Sequence, residues 1–200
     1  MTLNDVANIR TGLVAVRKKA RIGKKSNCSY KMINLKCISS FGCLDLDNAE
    51  DFISVEKLKS EYFTQKNDIL VRLSSPYTAV QITKDEECGY IIPSHFAIIR
   101  VDERKASSQY ILWILQREST FKKILKNNSG STAFGTISAS FFSELRLKKL
   151  PLEKQRAIGM LFTLSNQEQQ LIQQLAEEKQ KLCKASMQKI YALEKRSFQK

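Results

Sequence analysis

The sequence holds one histidine and five cysteines, Cys28, Cys37, Cys43, Cys88 and Cys183, with no CxxC pair among them. A structural zinc site needs about four close ligands in paired spacing, so this pattern offers none. A serine–histidine–aspartate site has only His95 to build on, and Ser94-His95-Phe96 reads as a surface or packed histidine beside a strand. Neither GxGxxG nor GxxxxGK[ST] occurs, which removes those routes to nucleotide binding. Uninterrupted apolar runs are only a few residues long, too short to span a membrane. The odd cysteine count and the lack of a signal-peptide pattern argue against secretion. A reducing cytoplasm is expected, with most of the cysteines serving as small apolar core residues. Acidic residues are missing from one whole stretch, since none occurs between Asp5 and Asp45.

That stretch carries Arg10, Arg17, Lys18, Lys19, Arg21, Lys24, Lys25, Lys31 and Lys36. Nine positive charges and no negative one read as a single-sign patch. The formal net charge of the whole chain is +13, which favours a polyanionic partner such as nucleic acid. Hydrophobic residues are 42% of 200, enough for a real core, so disorder is not the default. The length suits one ordinary domain with an appendage.

Up to about residue 150 the chain reads as short strands mixed with helices. Leu3 to Ile9 is a short helix or an opening strand, with Asn4 or Asp5 as cap. Tyr30 to Ile38 alternates apolar and polar positions, as a half-buried strand does. Asp68 to Leu73 is a compact strand broken by Ser74, Ser75 and Pro76. Thr78 to Thr83 and Phe96 to Val101 repeat that signal, whereas Ser107 to Leu125 shifts to helical spacing. Asn127 to Ser131 is a loop by composition, and Ile137 to Leu147 fits helix or strand equally. The expected fold is α+β, with a mixed, curved sheet in residues 1–150.

Residues 151–200 differ. From Glu153 to about Phe198 there is no proline and one glycine, Gly159, in a run rich in Gln, Glu, Lys, Leu and Ala. Pro151 opens the run and Glu153 suits the positive helix N-terminus. A helix of this length spans roughly 69 Å, against a radius of gyration of about 15 Å for the preceding domain. Such a helix is expected to project beyond the domain. Leu161, Leu164, Leu171, Leu175 and Leu182 follow three- and four-residue steps, with Glu168 and Glu178 filling the gaps. Ile190, Leu193 and Ser197 continue the stripe after an extra step through Ser186. This is a coiled-coil seam with one stutter, expected to join chains through Leu164, Leu171, Leu175, Leu182 and Ile190. Antiparallel pairing of two copies would put their globular domains at opposite ends.

Ser74-Ser75-Pro76-Tyr77 loosely resembles the (N/D/S)PP(Y/F) motif of amino-methyltransferases, but its second position is serine and no S-adenosylmethionine loop accompanies it. A DNA-facing loop is the other functional reading, with Arg72, Ser74, Ser75 and Tyr77 offering donors to phosphates or base edges.

In this order the pieces resemble the specificity subunit of Type I restriction-modification systems. LNDVANIRTG (Leu3 to Gly12) is similar to the family's opening element. KNDILVRLSSP (Lys66 to Pro76) resembles its GDIL strand, with Asn67 where glycine is frequent. IIPSHFAIIRVD (Ile91 to Asp102), YILWILQ (Tyr110 to Gln116) and GSTAFGTIS (Gly130 to Ser138) follow in family order. LPLEKQRAIGMLF (Leu150 to Phe162) resembles the PLxEQ signature that opens the family's spacer helix.

The resemblance implies a non-catalytic subunit without a cofactor of its own. It implies one recognition domain reading half of a split target in double-stranded DNA, and a helix docking methyltransferase subunits, with restriction subunits as possible further partners. Family members usually carry two such domains and two helices, and this chain carries one of each. A self-associating half-subunit, one member of a two-chain subunit and a silent cassette all stay open. The expected DNA contacts are Arg17, Lys18, Lys19, Arg21, Lys24, Lys25, Arg72, Ser74, Ser75, Tyr77, Ser129, Gly130, Ser131 and Thr132. Two other classes fit parts of the sequence: a small DNA adenine methyltransferase using Ser74 to Tyr77, and a coiled-coil adaptor binding RNA or protein.

Overall fold

The computed structural model describes residues 1–20, 28–39, 42–75, 77–117 and 136–197, with side chains to residue 192. Four strands form an antiparallel sheet in the order β1-β6-β4-β5: β1 (Ala7–Thr11), β4 (Ile69–Arg72), β5 (Ala79–Gln81) and β6 (Phe96–Val101). β2 (Cys28–Met32) and β3 (Glu50–Ser54) form a second antiparallel pair. Parallel pairing occurs at isolated bridges, Leu13 to Pro93 and Met32 to Ile91.

β4 and β6 read as unbroken apolar runs because both faces of the sheet are covered. Leu70 pairs with Ile98, and both join a core of Ile33, Ile38, Val80 and Phe96. Ile69, Val71 and Ile99, alternate on the same strands, are also fully buried. Helix α1 (Ser108–Gln116) lies against β5. Gln81 Nε2 donates to Ser108 Oγ at 2.7 Å, and Gln116 Nε2 donates to the Ala79 carbonyl at 2.7 Å. A second cluster, Leu13, Phe52, Leu58 and Ile91, involves β3.

Several elements differ from the sequence expectation for identifiable reasons. The first turn is Leu3–Asp5, begun at Thr2 instead of Asn4 or Asp5. Asp5 Oδ2 accepts the Thr2 N–H at 2.7 Å, and β1 follows. The expected strand Tyr30 to Ile38 ends at Met32. Asn34 Oδ1 then accepts the Lys36 and Cys37 N–H groups at 2.8 and 3.2 Å and sets a 3-10 turn, Leu35–Cys37. Ile137 to Leu147 contains a 3-10 run, Ala139–Glu144. β3 was not expected, since Glu50 and Asp51 hide a strand whose buried positions are only Phe52 and Ser54. Of Ser107 to Leu125, Ser108–Gln116 is helical, and the part from residue 118 lies outside the described residues, as does Asn127 to Ser131.

The long helix α2 runs Leu152–Ser197. The chain divides into two units, Met1–Gly159 and Met160–Lys200, so the first turns of α2 belong with the globular unit. The divide falls after Gly159, later than the change of composition at Pro151. No described helix is long and apolar enough to cross a membrane.

Candidate nucleic-acid interface

The basic segment begins where β1 ends. Gly12 is required there, because a Cβ would sit 2.3 Å from the Pro93 carbonyl oxygen and 2.4 Å from that of Ile92. A 3-10 turn, Ala15–Arg17, follows. The next residues run along β3: the Lys18 carbonyl accepts the Val55 N–H at 3.1 Å and the Ser54 hydroxyl at 3.2 Å. The Ala20 N–H donates to the Ile53 carbonyl at 2.8 Å. Arg17 to Lys19 are therefore held on the backbone of β3, with Arg17 and Lys19 exposed and Lys18 half-buried.

The charge of this surface is less uniform than the sequence suggests. The expected single-sign patch is met by acids from β3 and the residues after it. Lys18 pairs with Glu56, Lys31 with Asp51 at 2.8 Å, and Arg10 with Glu61 at 3.0 Å. The cause is register, since antiparallel pairing sets Lys31 opposite Asp51. Among the described residues, Arg17, Lys19 and Lys36 have no acidic partner within salt-bridge distance. Arg21, Lys24 and Lys25 lie outside the described residues.

The second predicted group sits at the reversal between β4 and β5. Arg72 and Ser74 are half-buried, with Arg72 Nε donating to Ser74 Oγ at 3.3 Å. Ser75 is exposed and Tyr77 half-buried. The Arg72 N–H donates to the Thr78 carbonyl at 2.8 Å, closing the turn. Thr136 bridges Ser74, and the Ile137 N–H donates to the Leu73 carbonyl at 2.8 Å. Ser129, Gly130, Ser131 and Thr132 lie outside the described residues.

Four supporting residues escaped the reading by composition. Asp68, fully buried, accepts hydrogen bonds from Nε and Nη2 of Arg100, and Asn67 before it has φ +68°. Asparagine tolerates that left-handed backbone, which accounts for its place where the family often has glycine. Gln155 of the Leu150 to Phe162 motif is buried. Its Oε1 accepts the Ser107 N–H at 3.1 Å ahead of α1, and its Nε2 donates to the Leu150 carbonyl at 2.9 Å. The PLxEQ likeness was the available signal for Gln155.

His95 is exposed. Burial pushes the Cys37 thiol up, away from thiolate chemistry. No group of three or more His, Cys, Asp or Glu among the described residues is placed to hold a metal ion. On α2, the predicted seam residues Leu164, Leu171, Leu175, Leu182 and Ile190 are all exposed, by 50% to 69%.

No curated protein matches this chain. Its fold is that of two solved structures. One comes from work described as the structural basis of complex assembly and conformational transition of the type I R-M system, at TM-score 0.64 and 11% identity, covering 88% of this chain and 44% of that one. The other is the HsdS subunit of Thermoanaerobacter tengcongensis, at TM-score 0.64 and 13% identity, covering 90% of this chain and 45% of that one. The chain thus spans less than half the length of either. A family model described as the Type I restriction modification DNA specificity domain matches residues 1–179, through the globular unit and well into α2. On that match, the chain belongs to the family of Type I restriction-modification DNA specificity domains.

Proposed function

We propose that this chain is a DNA sequence-specificity component of a Type I restriction-modification methyltransferase. Its globular unit binds one half of a bipartite target in double-stranded DNA, and α2 docks methyltransferase subunits and a second copy of the chain. Restriction subunits are further candidate partners of that assembly. The observation that carries this reading is the continuous family match over both recognition unit and helix. The charges of Arg17 and Lys19, held on β3 and without an acidic partner among the described residues, suit phosphate neutralisation, which positions a protein without reading sequence. The turn of Arg72, Ser74 and Tyr77, tied to Thr136, supplies donors of the kind that reach base edges. Catalysis and S-adenosylmethionine binding belong to the methyltransferase partners in this account, and the chain works as a cytoplasmic, non-catalytic subunit.

The test is equilibrium binding of the purified chain to duplex DNA and to random RNA at several salt concentrations. Preference for duplex DNA, steeply weakened by salt, is the expected result. Equal affinity for both would overturn the reading in favour of an adaptor.

A further inference from the structure

We infer that His95 reads a base edge of the DNA target, from the centre of an acid-free end of the four-stranded sheet. The inference rests on the reading of the globular unit as a binder of one half-target, and adds the face it uses and a residue that sets its specificity.

The two ends of the sheet differ in charge. The antiparallel order β1-β6-β4-β5 gathers the C-terminal ends of β1 and β4 with the N-terminal ends of β5 and β6. The three segments at that end, residues 12–19, 73–78 and 93–95, hold no Asp or Glu. Arg72 closes β4 there, and Arg17, Lys18 and Lys19 follow β1. Glu56, from beyond β3, pairs with Lys18, while Arg17 and Lys19 have no acidic partner among the described residues. At the opposite end every segment holds an acid: Asp5 before β1, Asp68 before β4, Asp85 after β5 and Asp102 after β6. Three of these are balanced in ion pairs, with Arg100, Lys66 and Arg104 in turn. A polyanion is therefore drawn to the acid-free end.

His95 stands in the middle of that end. β6 lies between β1 and β4, and the turn before it is bonded to both neighbours. The Leu13 carbonyl accepts the Ser94 N–H at 2.8 Å, and the His95 carbonyl accepts the Leu73 N–H at 3.0 Å. One neighbour continues to Arg17 and Lys19, the other to the turn of Ser74 and Tyr77. His95 is exposed, and among the described residues no hydrogen bond or ion pair holds its imidazole. The backbone thus fixes its position and leaves the ring available to a ligand.

The dimensions suit a major groove. With about 4.8 Å between neighbouring strands, β1 and β4 stand about 10 Å apart across β6. The groove is about 12 Å wide. Cations on the flanks reach the phosphates that wall it, and the central side chain meets base edges at its floor. An imidazole has a ring N–H that donates and, when neutral, a second nitrogen that accepts. Either bond tells one base edge from another, which a charge on a phosphate does not.

The test uses the full chain, as wild type and as His95→Ala, each selecting duplexes from a pool with a randomised centre. Affinities are then measured for the wild-type consensus duplex and for random-sequence duplex. His95→Ala should lose the preference at one base pair and bind the consensus about tenfold more weakly, the order of one mismatched pair. Its affinity for random duplex should equal that of the wild type. Equal weakening on both duplexes with an unchanged consensus overturns base reading and makes His95 a phosphate contact. Wild-type affinity and consensus in the variant overturn it by showing that His95 does not touch DNA. Both results spare the globular unit as a reader of DNA. A wild type that selects no consensus overturns that reading, and the inference with it.

Discussion

The carboxylate of Asp68, at the head of β4, is held in a two-point grip by Arg100 on the neighbouring strand β6, with Nε to Oδ1 at 2.7 Å and Nη2 to Oδ2 at 2.9 Å. Asp68 also accepts the Gln65 N–H at 2.9 Å, and the guanidinium reaches the Phe63 carbonyl at 3.0 Å. The turn before β4 is thereby fixed to the centre of the sheet. Asp68 is fully buried, whereas the Arg100 side chain keeps 23% exposure, so solvent tempers the pair. Asp68→Ala is expected to cost about 3 kcal/mol by stranding the guanidinium and the turn. Arg100→Gln should also destabilise the protein. Denaturant unfolding measures both, and a loss within about 0.5 kcal/mol for Asp68→Ala, the usual range at plain surface sites, would contradict the assigned role.

The junction between α1 and the start of α2 depends on close approach. A Cβ at Gly159 would lie 2.5 Å from Gln109 Cβ and 2.9 Å from the Tyr110 nitrogen. Gly159→Leu should cost about 1–3 kcal/mol by overpacking. Gln155→Leu should cost about 1–3 kcal/mol by leaving the Ser107 N–H buried and unbonded. Thermal melts of the two variants check this, and both melting like the wild type would refute it.

Charge pairing ranks the basic residues. Arg17 and Lys19 are exposed without an acidic partner among the described residues, while Lys18 is engaged by Glu56. Neutralising Arg17 and Lys19 should weaken binding to all duplex sequences alike. It should also lower the slope of log affinity against log salt by roughly 0.9 for each phosphate no longer neutralised. Lys18→Ala should do less. Salt titrations of these variants decide, and an affinity and salt slope unchanged by neutralising Arg17 and Lys19 would show that this edge of β3 faces away from DNA.

The α+β class and the long helix were legible in the sequence because their signals are local: apolar strands at Ile69–Arg72 and Phe96–Val101, and an uninterrupted helix-forming run after Pro151. Register was not legible. Nothing in the order of residues announces that Lys31 will face Asp51, and that pairing changes the charge of the basic stretch. β3 was hidden for a related reason, since its outward residues are acids and only alternate side chains are buried. The grip of Arg100 on Asp68 joins residues far apart in sequence, and only the sheet brings them together. Ser129 to Thr132 fall outside the described residues, so their expected part in DNA contact stays with the proposal.

The most direct test of the central claim is a map of adenine methylation in host DNA, with and without this chain, in cells that keep the partner methyltransferase. A target read by two copies related by a twofold axis is a split inverted repeat. The account predicts methylation at such a sequence when the chain is present and its loss when the chain is deleted. A methylation map that does not change on deletion would contradict it.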